Sequence, residues 1–450
     1  MPSQQLPLLD LFNELTRHLP SLWQRDRGSL RPAHVLYTIM TMSVAGAHGY
    51  RQVLDNLKRT VGDRLGWDTT PYPSSLSEAR RKLTPDTCKE AFDQVRSQLT
   101  MLSAGGRVCY GAYRILAVDM TTLALPACPA VENAFKSPVD SKKRKAKAPK
   151  ATLTTLWDVS TNTPLDWKLE QCYASERFAT YELIKQLGAK DLLIADRGHS
   201  SRRMFLDIQQ FGAAYLIRMP LGRAGGFLEV RAFARDEHAW DSTILLHADK
   251  KRTGTPTVSV RLVKKRLPSG ELAVFATNLL SVSEHPAAAI CDLYCYRWDI
   301  ETAFREMKVW HGLENFHARF ADGIHQEVTA LMIFMLLTAE LEHQTKIHHE
   351  TAIAEANANA ALATEADASN SGITSSVIRF NRRLIAECVG HLLIAAAHGT
   401  AAFDAEFFAC MHELWKFRQK KRPGRSFPRM AKSPNSKWKR TTYNTKPKRS

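Results

Sequence analysis

Asp292-Leu-Tyr294-Cys-Tyr-Arg297-Trp298-Asp-Ile-Glu301-Thr-Ala-Phe-Arg-Glu-Met-Lys308 carries the strongest local pattern in this 450-residue chain. Read as one helix, it places Tyr294, Arg297, Glu301 and Lys308 within about 60° of arc. Leu293, Ile300, Phe304 and Met307 fall on the adjacent stripe, the one that would dock on a sheet. The helix therefore points a carboxylate, two cations and a phenol at one spot beside the core. A plain i,i+4 salt bridge accounts for Arg297 and Glu301 but not for Tyr294 and Lys308 beside them.

Two apolar runs upstream each end in a carboxylate: Arg114-Ile-Leu-Ala-Val-Asp119 and Asp191-Leu-Leu-Ile-Ala-Asp196. Both have the length and composition of buried strands. One strand-terminal Asp is usually a turn residue. Three converging carboxylates repel one another unless cations neutralise them. Hard divalent ions suit such oxygen donors, and a pair of them supports in-line phosphodiester cleavage.

Around these runs the chain divides. Up to about Ser103 it reads as helices, with a capping-box pattern at Ser75-Leu-Ser-Glu78 and a Thr84-Pro85 helix start. Arg80, Arg81 and Lys82 lie at the turn between two short helices, as in a DNA-reading pair. Strands at 153–159 and 164–170, helices at 176–187 and 201–211, and a strand at 214–218 argue for a mixed sheet covered by helices. From 221 to 284 the pattern is strand-like throughout: 227–234, 242–247, 257–263 and 271–277. Helices return from Pro286 to about Thr345. An Ala/Asn/Glu-rich stretch and a tail without acidic residues after Lys416 close the sequence.

Lysine and arginine number 62 against 45 acidic residues, a net charge of +17, which implies a polyanionic partner. The basic run Lys142-Lys143-Arg144-Lys145, in the expected loop after the first strand, and the tail both suit a phosphate backbone. The start of the chain has no basic leader before an apolar run, and the most apolar stretch, Val328 to Leu337, is short for a bilayer. The eight cysteines include no C-x-x-C pair, which suits reduced thiols in a cytoplasm. Cys291 and Cys295 lack a second ligand pair at zinc spacing.

The spacing Tyr294-x2-Arg297-x3-Glu301-x6-Lys308 resembles the signature of the insertion-sequence-four family of bacterial transposases. The resemblance extends to Ile115–Asp119, Ile194-Ala-Asp196-Arg-Gly-His199, Tyr215–Arg218 and Thr277-Asn-Leu279, covering roughly Tyr113 to Thr345. It implies an α/β fold: a ribonuclease-H-like core in two parts (109–220 and 285–345) interrupted by a β-rich insertion (221–284). A helical DNA-binding region (1–108) would precede the core, and a linker, helical segment and basic tail (346–450) would follow it. By resemblance, Asp119, Asp196 and Glu301 are the metal-binding triad for two Mg²⁺ or Mn²⁺ ions, and Tyr294, Arg297 and Lys308 bind DNA phosphates. Trp298 and Trp240 are candidates for handling a flipped base.

Two departures stand out. Met120 follows the first Asp where Gly is common, and His199 stands where Phe or Tyr is common. The expected protein is a cytoplasmic, nucleoid-associated bacterial transposase, dimeric when synapsing double-stranded DNA ends, with no membrane partner. Two rivals keep the same basic patches: a domesticated DNA-binding protein, and a ribonuclease-H-fold nuclease without strand transfer.

Overall fold

The computed structural model describes residues 30–45, 49–99, 109–138, 146–172, 176–222, 227–246, 257–267, 270–350, 352–354 and 378–420. Lys142, Lys143, Arg144 and the basic tail beyond residue 420 lie outside these described residues.

Four helices come first: α1 (Pro32–Ala45), α2 (Tyr50–Val61), α3 (Pro73–Arg80) and α4 (Pro85–Ser97). α4 starts as its sequence predicts, with Pro85 in the first turn and the Thr84 hydroxyl accepting from the Thr87 amide at 3.2 Å. The capping box expected at Ser75 is not used. Pro73, with its φ preset for a first turn, starts α3 behind an extended Tyr72, so Ser75 and Glu78 fall inside the helix.

The sheet is assembled from β1 (Cys109–Tyr110) and β2 (Tyr113–Ala124), then, past the short helix α5 (Pro129–Phe135), β3 (Lys150–Asp158) and β4 (Thr163–Gln171). Helix α6 (Glu176–Leu183) leads to β5 (Asp191–Ala195), and α7 (Arg202–Gln210) to β6 (Ala214–Arg218). Helix α8 (Leu228–Arg235) precedes β7 (Asp241–Leu246), β8 (Val258–Arg266) and β9 (Leu272–Thr277). The order is β4-β3-β2-β5-β6-β9-β8-β7, with β1 pairing off β2. β2, β5 and β6 are parallel; the other pairings are antiparallel.

Two expectations for 221–284 are corrected. Residues 227–234 form α8, not a strand: Val230 and Phe233, three apart, are both buried, and that helical spacing overrides the local alternation. The three true strands build no separate layer. β9 pairs with β6, so they continue the core sheet.

Alternation along the strands feeds two cores. Ile115 and Ala117 of β2 face the one shared with the long helices, while Leu116 and Val118 face the one covered by α7 and α8. After α9 (Ala287–Leu293) and α10 (Arg297–Val309) comes α11 (Ala321–His348), 28 residues long. Short strands β10 (Ile378–Arg379) and β11 (Gln419–Lys420) bracket α12 (Arg382–His398) and α13 (Thr400–Lys416). The stretch around Val328 thus belongs to a helix long and apolar enough to cross a membrane. Its apolar window is, however, 83% buried inside the fold, the condition of a core helix. α1, α4, α12 and α13 all pack on it.

Arg80 is part of that packing, which corrects its expected role on DNA. Its side chain is fully buried, and it donates to Gln326 Oε1 (3.0 Å), Tyr50 OH (2.6 Å), Glu327 Oε1 (2.8 Å) and the Gly323 carbonyl (3.0 Å). Gln326 answers by donating to the carbonyls of Arg80 and Leu83. The N-terminal helices and the sheet therefore share one hydrophobic core. Arg81 and Lys82 remain exposed at the α3–α4 turn, Arg81 lying 4.6 Å over the Phe320 ring.

Removing one partner of a buried ion pair strands the other. Arg80→Ala is predicted to destabilise the protein by about 3–5 kcal/mol, read as a fall in its urea midpoint. An unchanged midpoint would contradict the structural assignment.

Candidate metal and nucleic-acid site

The site is set by strand register. β2 and β5 run parallel with Val118 opposite Ala195, so Asp119 and Asp196 emerge side by side. The apolar run predicts a strand ending at Asp119, but β2 continues to Ala124. The reason is its other neighbour: β3 pairs with β2 along the whole stretch from Leu116 to Ala124, placing Thr155 opposite Asp119. β5 does stop, because the Asp196 side chain caps the 3-10 turn Arg197–His199, accepting from the Gly198 amide at 2.9 Å.

The signature segment is not one helix. α9 ends at Leu293, Tyr294–Tyr296 form a 3-10 turn, and α10 restarts at Arg297. The apolar stripe docks as its spacing predicts, with Leu293, Ile300, Phe304 and Met307 buried. Tyr294 is the correction. The tighter turn rotates it inward, its ring packs 4.7 Å from that of Phe275, and burial pushes its hydroxyl up to about 12. Tyr294 lies beneath Arg297, whose guanidinium is 5.7 Å from its ring, and does not share an open stripe with Glu301 and Lys308.

Arg297 joins the carboxylates. Its Nη1 lies 2.5 Å from Glu301 Oε1 and 3.4 Å from Asp119 Oδ2. Burial opposes its charge, but Tyr294, Glu301 and Asp119 outweigh that and hold it more firmly protonated than usual. On its outer side stands Trp298, 5.1 Å from the guanidinium and 57% exposed, open to a ligand. Lys308 donates to the Thr122 carbonyl at 2.6 Å, with Glu314 at 4.0 Å, and so sits beside the far end of β2. Trp240 is elsewhere. It precedes β7, five strands from β2 along the sheet, roughly 24 Å at normal strand spacing.

The two aspartates are electrostatically split. Burial raises Asp119 to about 6, Asp196 adding to the rise, although the Met120 amide and Arg297 pull the other way. Burial also works to raise Asp196, but the hydrogen bond and charge of His199, the Gly198 amide and Arg297 together bring it below the ordinary range. His199 Nδ1 lies 2.8 Å from Asp196 Oδ1. In the sequence His199 stands out as a departure from the family pattern, and its place three residues after the Asp in a tight turn is the signal of its contact. Glu314, which accepts from the Ala124 amide and approaches Lys308, gave no such signal.

Three carboxylates form a donor set suited to a hard cation. Among the described residues, though, no three His, Cys, Asp or Glu side chains are gathered tightly enough to hold one. Buried Cys291 and exposed Cys295 form no such group either. The positive charge in contact with Asp119 and Glu301 is that of Arg297.

Residues 110–337 match the transposase DDE domain family. The chain is 22% identical over 237 residues to the transposase InsG for insertion sequence element IS4 of Escherichia coli (strain K12), covering 52% of this chain and 53% of that protein. It thus spans about half the length of that relative. A cryo-EM structure of a piggyBac transposase synaptic complex with hairpin DNA overlays 92% of this chain and 82% of its own. The TM-score is 0.43 and the identity 10%, too low to establish a shared fold.

The elevated Asp119 value has a signed consequence. A carboxyl ionising near 6 when folded and near 3.8 when unfolded contributes stability that is complete below 3.8 and lost as pH rises through 6. Asp119→Asn lacks that loss. Without divalent ions, its stability relative to wild type is predicted to climb between pH 4 and pH 7, by up to roughly 3 kcal/mol. A pH-independent difference in thermal unfolding would refute the assignment.

Proposed function

The chain belongs to the transposase DDE domain family, and we propose that it is a DNA transposase that cleaves at the ends of its element and joins the 3′-hydroxyls to target DNA. One observation carries the reading: the β2–β5 register sets Asp119 beside Asp196, and Arg297 links Asp119 to Glu301 on the packed signature helix. The order β4-β3-β2-β5-β6, with β2, β5 and β6 parallel and β3 reversed, supports a ribonuclease-H-like core.

The family's chemistry depends on divalent metal. We assign Asp119, Asp196 and Glu301 to two Mg²⁺ or Mn²⁺ ions, which would supply an activated nucleophile and stabilise the leaving oxygen. The side chains around them have separate roles. Arg297 holds Asp119 and Glu301 against their mutual repulsion through Nη1, and the donors it does not spend on them would serve a flanking phosphate. Lys308, fixed on the Thr122 carbonyl, adds charge farther along β2. Exposed Trp298 offers a face on which a base can stack. Arg81, Lys82, Lys142, Lys143 and Arg144 would grip backbone and set position, while carrying no base information. Joining two ends calls for two subunits, so a dimer on double-stranded DNA is part of the proposal, as is a cytoplasmic, nucleoid-associated location.

Asp119→Asn, Asp196→Asn and Glu301→Gln keep shape and remove charge. Each should lower Mg²⁺-dependent nicking of the element's own ends by about a hundredfold or more. Gel-shift affinity should be unchanged or slightly stronger, since negative charge facing phosphate is gone. Nicking at the wild-type rate in any variant removes that residue from the triad. A wild-type protein that binds its ends and never nicks them is a DNA-binding protein instead.

A further inference from the structure

We infer that His199 is a positioning residue for Asp196: with the Gly198 amide it occupies one carboxylate oxygen and leaves the other as the oxygen available to a cation. The inference rests on the metal-dependent reading above and concerns how this chain prepares one ligand of that site.

Two donors converge on a single atom. Gly198 N–H reaches Asp196 Oδ1 at 2.9 Å and His199 Nδ1 at 2.8 Å. A carboxylate oxygen has two lone pairs, so Oδ1 is saturated. Among the described residues no hydrogen-bond donor reaches Oδ2. A free carboxylate rotates and can offer both oxygens to an ion; this one is fixed.

The clamp is itself held. Asp196 caps the turn that carries both donors, the His199 amide donates back to the Asp196 carbonyl, and Arg177 Nε donates to the Gly198 carbonyl at 2.9 Å. Packing alone does not account for the histidine. Its ring is 1% exposed, and its Nε2 is buried without a partner. Leaving a ring nitrogen buried and unpaired is unfavourable, and a phenyl ring of similar size would avoid it. What the imidazole provides that a phenyl cannot is the Nδ1–H. The carboxylate only accepts, so the proton on that nitrogen is fixed by its partner.

The test uses the full chain and Mn²⁺ alone, without DNA, at neutral pH. Mn²⁺ affinity is followed by titration calorimetry or by the paramagnetic resonance of free Mn²⁺, with thermal unfolding run alongside. His199→Phe keeps the ring and removes the donor, and should weaken Mn²⁺ binding about tenfold, as loss of a hydrogen bond to a metal ligand commonly does. His199→Asn places an amide N–H where Nδ1 sits and should recover most of that affinity. Should His199→Phe fail to fold, His199→Gln, whose donor lies one bond farther out, takes its place with the same expected loss. Equal affinity for His199→Phe and wild type would overturn the inference. So would equal losses in the Phe and Asn variants, which would make the ring mere packing. Asp196→Asn separates this inference from its premise: wild-type protein binding Mn²⁺ no better than Asp196→Asn would defeat the metal triad itself.

Discussion

Parallel strands in register deliver the residues that follow them to the same place, and here both residues are aspartates. Beyond Val118 and Ala195 the backbone leaves Asp119 and Asp196 no means of separating. Two half-buried anions side by side need compensation, and the surroundings supply it unequally. Asp196 receives a histidine and an amide; Asp119 receives its neighbour's amide and a more distant guanidinium. Asp196 thereby lies below the ordinary carboxylate range, while burial raises Asp119 to about 6. The placement of α10 follows from the same demand. Its apolar side is anchored by Ile300, Phe304 and Met307, which holds Arg297 over the pair.

A second constraint joins this site to the N-terminal helices. Arg80, Tyr50, Gln326 and Glu327 form a buried polar network whose members satisfy one another across α2, α3 and α11. Such a network has few alternative arrangements, because breaking one bond leaves a buried charge unpaired. Glu327 extends it by accepting from the amides of His317 and Ala318, in the segment between α10 and α11. Arg81 and Lys82, next in sequence to Arg80, are thereby tied through Glu327 to the segment that joins α10 to α11.

Much of this was legible in the sequence because its strongest signals are local. The strands at Asp191–Ala195 and Ala214–Arg218, the α4 start at Thr84-Pro85 and the apolar stripe of α10 follow from short-range pattern. Three of the failures have a common cause, a partner distant in sequence, whereas the unused capping box at Ser75 has a local one in Pro73. β2 outruns Asp119 because β3 pairs with it. Arg80 looks like a surface residue until Glu327 is seen beside it. Tyr294 turns inward because Phe275 offers its ring a place. At 227–234 the sequence supports both periods, and the burial of Val230 and Phe233 decides between them. The same holds within the site: the carboxylates and Arg297 stand out from strand ends and helix spacing, whereas the reach of Arg297 to Asp119 and the bond between His199 and Asp196 emerge only in three dimensions.

The core helix α11 bears on how the chain is made. Its covering helices come from both sides of it in sequence: α1 and α4 precede it, and α12 and α13 follow. During synthesis the N-terminal pair is already available when α11 leaves the ribosome, but the C-terminal pair is not. For that interval a helix with the hydropathy of a bilayer span lacks α12 and α13 over it, while α1, α4, α5 and β4, which also pack on it, are already made. Tyr50, Arg80, Gln326 and Glu327 all precede α12 and α13 in the chain, so every contact of this network is one that the C-terminal pair takes no part in.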